Sequence, residues 1–255
     1  MSGFRAYFDF SLTRRPEDFS EGDVIELSQD ESRHLCGSLR ACPGDAADAF
    51  DLNGNVWRCR IRESSPKRAE LELLQKLKIE SPRSKIYAAQ CLPKGKVFDD
   101  ILRQSVEVGA SGIIPIISDY SQVRFDAHDA ERKSAKWRTH IVEAIKQSAN
   151  FSAYTVSEPI TFRKFISESA ENFNLKIVSS LQSDAKPIIE VLNGIKERPK
   201  NICILTGPEG DMSPNEYSLA AEAGFLPVKI GQNVMKCDTA SLTAMAICNA
   251  YYNLD

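Results

Sequence analysis

Leu205 to Ala240 read LTGPEGDMSPNEYSLAAEAGFLPVKIGQNVMKCDTA, two glycine-bearing loops on either side of one helix. The apolar run Ile202-Cys203-Ile204-Leu205 predicts a buried strand leading into them. Gly207-Pro208-Glu209-Gly210 then opens a loop whose two glycines permit backbone angles and close ligand approach that a side chain would block. Ser213-Pro214-Asn215-Glu216 is a capping box with proline at the first helical position, so a helix starts there and Gly224 stops it. Phe225 to Ile230 returns as a strand, Gly231 begins a second loop through Met235 and Lys236, and a small-residue helix from Thr239 to Tyr252 follows. The pattern is a βαβ unit with a crevice at the strand carboxyl ends, where open α/β sheets bind ligands. The loops hold neither G-x-G-x-x-G nor G-x-x-x-x-G-K-[ST], which gives no support to a nucleotide-phosphate site.

Outward from this stretch, the chain changes character once. Residues 1 to about 75 carry short β-like runs, Arg5 to Asp9, Val24 to Leu27, Ala47 to Leu52, Val56 to Ile61 and Ala69 to Leu74, with Asn53-Gly54 as a hairpin signal. They predict a small β barrel or sheet. His34 to Ala41 reads as a short helix with Leu35 and Leu39 on one face. Around Glu80-Ser81-Pro82-Arg83-Ser84 the alternation breaks, and an α/β pattern follows with strands at 86–91, 113–117, 175–179 and 201–205 and a long helix at 127–148. The expected division is a β domain over 1–75, a linker over 76–84 and a mainly parallel α/β domain over 85–255.

The 255 residues, 42% hydrophobic, suffice for two modest domains or one large one. No opening stretch resembles a signal peptide and no apolar run approaches the ~18 residues of a spanning helix, so a soluble, cytoplasmic protein is expected. The seven cysteines lack C-x-x-C spacing, which predicts reduced thiols with neither a disulfide framework nor a zinc site. A net charge of −3 argues against a general nucleic-acid binder. Its distribution matters more: Arg33, Arg40, Arg58, Arg60, Arg62, Lys67 and Arg68 cluster early, followed by Lys94, Lys96 and Arg103. They form either a solvated face or a stripe for phosphate oxygens.

TGPEGDMSPNE, AGF, IGQNVMK and DTASLTA, in this order and spacing, resemble the carboxyl-terminal signature of the RsmE family, the 16S ribosomal RNA uridine-N3 methyltransferases of the SPOUT class. Arg5 with Tyr7-Phe8, His34-Leu35, Leu39-Arg40, Pro43-Gly44-Asp45, Pro93-Lys94-Gly95-Lys96, Glu107-Val108-Gly109 and Glu143-Ala144 with Gln147-Ser148 resemble further blocks of that family along nearly the whole chain. The resemblance implies a PUA-like β-barrel domain for RNA, then a SPOUT domain with a trefoil knot that binds S-adenosylmethionine. It further implies a homodimer acting on 16S rRNA in the small ribosomal subunit, with no metal and no membrane.

The resemblance also implies a donor site at Leu205, Thr206, Gly207, Glu209, Gly210, Ile230, Gly231, Met235, Thr239 and Ala240. Lys236 and Asp238 become the catalytic candidates, standing where the family usually has arginine and glutamate. Lys236 keeps the charge but loses the planar fork. Asp238 has helix capping as its bland alternative, and Glu209 a favourable interaction with a helix start. RNA contacts are implied for Arg5, His34, Arg40, Lys94, Lys96 and Arg124. Gln104, Tyr120, Asn150 and Tyr154 depart from the family pattern on this side, which leaves two other readings open. One is a noncatalytic or retargeted RNA-binding protein on the same scaffold, the other an α/β enzyme for a small nucleotide ligand.

Overall fold

A computed structural model describes residues 3–121 and 127–254. The chain divides into two compact units. The first comprises Met1–Ser81 together with Ile145–Tyr154, the second Pro82–Ala144 and Thr155–Asp255. The expected β domain over 1–75 did not include the second stretch.

The first unit is built on β1 (Phe4–Tyr7), β2 (Val24–Glu26), β3 (Ala46–Phe50), β4 (Val56–Glu63) and β5 (Glu70–Leu77), in the order β1-β3-β4-β5-β2. β1 pairs parallel with β3; the other pairs are antiparallel. Alternation along β4 sends Trp57, Cys59 and Ile61 into a core with Leu71, Leu73, Phe10 and Phe19. At the β3–β4 hairpin, Asp51 accepts the backbone N–H of Asn53 (2.8 Å) and Asn55 (2.9 Å), and Gly54 takes φ 85° as a left-handed turn residue.

The helix expected over 34–41 starts earlier. α1 (Gln29–Ser32) begins behind Ser28, whose hydroxyl accepts the Glu31 N–H, and runs into a π-helical stretch, Arg33–Ser38. The wider turn rotates Leu39 away from Leu35, so Leu35 is buried and Leu39 is 44% exposed. Arg40 ends the element at φ 57°.

The second unit carries β6 (Lys85–Cys91), β7 (Gly112–Ile117), β8 (Thr155–Val156), β9 (Ile160–Thr161), β10 (Leu175–Ser179), β11 (Lys186–Pro187), β12 (Asn201–Thr206) and β13 (Leu226–Lys229). Every described pairing among them is parallel. The order is β11-β13-β10-β12-β6-β7-β8, with β9 also on β7. The central strands are apolar on both faces, as a sheet covered on both sides requires. Among its helices are α2 (Val97–Glu107), α3 (Ala127–Ser148, whose last residues belong to the first unit), α4 (Phe162–Lys164), α5 (Ile188–Asn193), α6 (Pro214–Glu222) and α7 (Cys237–Asn253).

The βαβ unit read from residues 205–240 has a strand inside it. β12 and β13 are not neighbours: β10 lies between them and pairs with both. Three carboxyl ends therefore converge where the sequence pattern indicated two. The helix expected from Thr239 starts at Cys237, which places Lys236 at the N-cap position and Asp238 within the first turn, so Asp238 is not the cap.

Candidate functional site

The carboxyl ends of β10, β12 and β13 open into a cleft of about 1260 Å³. Of the expected donor residues, Thr206, Gly207, Glu209, Ile230, Gly231, Met235 and Ala240 line it, and so do Lys236 and Asp238. Leu205 does not: its side chain is fully buried in the core beside Cys203 and Met212. Thr239 is exposed outside the lining, and a Cβ on Gly210 would meet Tyr120 Cβ at 3.7 Å, an ordinary contact. Sequence reasoning missed Ser179, Ser180 and Leu181 behind β10, and Pro187, Ile188 and Ile189 across from them. The available signal was the polar break after the apolar strand 175–178.

One wall of the cleft, residues 207–211, is held from several sides. Gln90, fully buried at the end of β6, donates from Nε2 to the carbonyls of Cys91 (2.9 Å), Thr206 (3.4 Å) and Gly207 (3.4 Å). The Glu209 carboxylate accepts the Lys94 N–H at 3.0 Å, so this residue fixes the 93–96 turn to the loop. Asp211 adopts φ 64°, a conformation costly for a non-glycine residue. Its Oδ1 compensates by accepting the Met212 N–H (2.8 Å) and the Tyr217 hydroxyl (2.7 Å). Burial, with the Asp211 carboxylate, pushes the Tyr217 phenol well above its usual range, keeping it a neutral donor.

Space at Gly207 is tight: a Cβ there would come within 3.3 Å of Met212 Cγ and 3.4 Å of Met212 N. Behind the loop, the expected capping box is present. Ser213 accepts the Glu216 N–H and Glu216 accepts the Ser213 N–H. Glu216, almost wholly buried, also accepts the Asp119 N–H at 2.9 Å, while the Ser213 hydroxyl donates to the Asp119 carboxylate at 2.6 Å.

The opposite wall runs through residues 230–238. Met235 folds over Gly231 so closely that a Cβ on the glycine would lie 2.7 Å from Met235 Cε. Lys236 is exposed and has no ion pair among the described residues. Asp238 presents the clearest polar vacancy, for its Oδ1 is buried without a hydrogen-bond partner. A buried acceptor of this kind is costly unless a ligand or water donates to it. Cys237 also lines the cleft, but burial, with Glu209 and Asp238 nearby, pushes its thiol up to about 11. It is a neutral thiol at physiological pH and a poor nucleophile.

The residues expected to contact RNA divide sharply. Lys94 and Lys96 are exposed in the turn that Glu209 holds. Arg5 is used within the first unit: its guanidinium donates to the carbonyls of Lys146 and, at 3.4 Å, Gln147, at the end of α3. His34 is half-buried, Arg40 is exposed, and Arg124 lies outside the described residues. Much of the early basic stripe is neutralised. Arg33 pairs with Asp30, Arg58 with Asp48, Arg60 with Glu72, and Arg68 with Glu26 and Glu70. Arg40, Arg62 and Lys67 keep no acidic partner among the described residues.

The model of an RNA methyltransferase domain matches residues 80–249, and that of an RNA methyltransferase PUA domain matches residues 27–74. The ribosomal RNA small subunit methyltransferase E of Synechocystis sp. is 30% identical over 94% of this chain and 77% of its own. Its namesake from Aquifex aeolicus is 26% identical over 89% and 94%. A crystal structure of the Neisseria gonorrhoeae protein of that name, bound to S-adenosyl methionine, superposes with a TM-score of 0.84 at 28% identity, covering 97% of each chain.

Proposed function

This chain belongs to the RNA methyltransferase family, with a PUA-type domain ahead of its methyltransferase domain, and we propose that it methylates N3 of a uridine in the 16S rRNA of the small ribosomal subunit, using S-adenosylmethionine. The observation that carries this reading is the cleft itself, in which a glycine-lined backbone wall faces an unpaired lysine and a buried, unpartnered carboxylate oxygen. These residues fit the donor. Gly207 and Gly231 bring main chain to the cleft lining, against which a flat adenine can lie, and Asp238 Oδ1 lacks the hydrogen bond that a ligand donor would supply. S-adenosylmethionine supplies a methyl group already activated on a sulfonium.

The chain's own residues must deal with the uracil N3 proton, which is held well above neutral pH in the free base. Lys236 places an ammonium where negative charge grows on a uracil oxygen as that proton leaves, and Asp238 offers a carboxylate to accept a proton. The braced 207–211 wall fixes the geometry of attack. The same reading includes a trefoil knot, a two-fold dimer of catalytic domains and work in the cytoplasm, where small subunits are assembled. No described helix is long and apolar enough to cross a membrane.

The test is transfer of labelled methyl to small ribosomal subunits lacking the modification, followed by nucleoside analysis. N3-methyluridine is the expected product. RNA binding without any methylated nucleoside would leave the noncatalytic alternative in its place.

A further inference from the structure

A second cavity, of about 360 Å³, lies at the other end of the same sheet. The donor cleft occupies the carboxyl ends of the strands, whereas Asn201, the first residue of β12, lines this one. The length of β12 between them is about 20 Å at ~3.3 Å per residue. Its wall contains two aromatic rings, Tyr87 and Phe173, with centroids 5.4 Å apart and planes tilted by 58°. Its rim contains Thr155, Ser169, Asn172 and Asn201. The side chains of Thr155, Ser169 and Asn172 and the Tyr87 hydroxyl have no hydrogen-bond partner among the described residues. Gly112 keeps the wall tight: a Cβ there would sit 2.4 Å from Thr155 Oγ1 and 3.1 Å from the Tyr87 ring.

Charge adjoins this aromatic wall. Lys85 stands two residues before Tyr87 on β6, hence on the same sheet face, and its Cα partner on β12 is Asn201. The Lys200 carbonyl accepts the Lys85 N–H at 2.8 Å, which fixes the two lysines beside each other on adjacent segments. Lys85, Lys200 and nearby Lys196 are exposed and have no ion pair among the described residues. An aromatic pocket with free hydroxyl and amide groups, flanked by unpaired cations, matches the chemistry of a single-stranded nucleotide: a π face to stack, base edges to hydrogen-bond and a phosphate to neutralise.

We propose that this cavity is a second RNA site, taking one unstacked base of a single strand against Tyr87 and Phe173 with its phosphate at Lys85 and Lys200. The inference rests on the reading that the chain acts on RNA. A strand held here and at the donor cleft is fixed at two points of one rigid sheet, which sets its direction across the active site.

The test uses the full chain and a single-stranded ten-nucleotide RNA carrying 4-thiouridine. Photo-crosslinks are expected on the peptides containing Tyr87 or Phe173. Tyr87→Leu, which keeps apolar bulk, should weaken binding by about tenfold through lost stacking. Lys85→Gln should lower the salt slope of binding by ~0.7, the loss of one phosphate contact on a single strand. Calorimetric S-adenosylmethionine binding should be unchanged in both variants, which also reports that they are folded. Crosslinks confined to other peptides, with wild-type affinity in both variants, would overturn the proposal. So would UMP binding as tightly as the oligonucleotide, which would make the occupant a free nucleotide, or polyglutamate competing equally well, which would make the surface merely anion-binding. Methyl transfer to ribosomal subunits is scored separately, so its failure beside positive crosslinks at Tyr87 would sink the enzymatic reading and spare this one.

Discussion

The two walls of the proposed donor cleft each begin at a glycine and are held in different ways. Residues 207–211 are braced by Gln90, Tyr217 and the Lys94 N–H, and lead into a capped helix. Residues 231–236 make no side-chain hydrogen bond among those described, and Val234 is 77% exposed. One wall is preorganised, and the other is free to settle on what enters. A rigid surface lowers the ordering cost of binding, while an unbraced one can close and shut out water after it. Chemistry is then expected to depend on the charge carried by the free wall, and donor affinity on the shape of the braced one.

The largest test of that division is Lys236→Met. Loss of the charge that faces the reacting base should lower single-turnover methylation by about two orders of magnitude, with donor affinity nearly unchanged. Lys236→Arg should stay active. Near-normal turnover in a folded Lys236→Met protein would remove the lysine from the mechanism and the division with it.

A pair of glycine variants sharpens the contrast within the braced wall. Gly207→Val crowds Met212 and should weaken calorimetric S-adenosylmethionine binding by on the order of tenfold, as overpacking typically costs ~1–3 kcal/mol. Gly210→Val meets only Tyr120 at ordinary distance and should bind within about twofold of wild type, well inside the ~0.5 kcal/mol of an ordinary surface change. Equal losses in both would mean that the loop responds to β-branching as such. An effect between those two on the braced side should come from Tyr217→Phe. Removing one hydrogen bond to Asp211 costs about 1 kcal/mol, or roughly fivefold in donor affinity, without changing the single-turnover rate at saturation. A changed rate with unchanged affinity would reverse the role assigned to this wall.

Local signals in the sequence translated directly into structure. Ser213-Pro214-Asn215-Glu216 is a complete rule within four residues, and the capping box is where it predicts. Long-range pairing was beyond such rules. Nothing near residues 201–230 says that β10 inserts between β12 and β13, so the cleft residues after β10 went unnoticed. Part of the basic stripe is paired for the same reason. Arg58 stands opposite Asp48 and Arg60 opposite Glu72 across strand pairs, and register alone turns those cations into ion pairs. Arg5 likewise found its partners 141 residues away. The Ser28-to-Glu31 cap, by contrast, was legible and overlooked, because the apolar spacing around Leu35 drew the start of the helix too late.

The first unit closes with a segment that the chain supplies only after an excursion through the other unit. Lys146 returns to form a nearly buried ion pair with Glu31 at 2.7 Å, and the other Glu31 oxygen accepts the Tyr7 N–H. A fragment ending at residue 81 would strand that carboxylate, and breaking a buried pair from one side costs about 3–5 kcal/mol, much of a small domain's stability. The PUA-type unit is therefore not a cassette that a gene fusion could lift out by its amino-terminal stretch. During synthesis it also cannot be completed until about 150 residues have left the ribosome, so the two halves of the protein are bound to a shared schedule of folding.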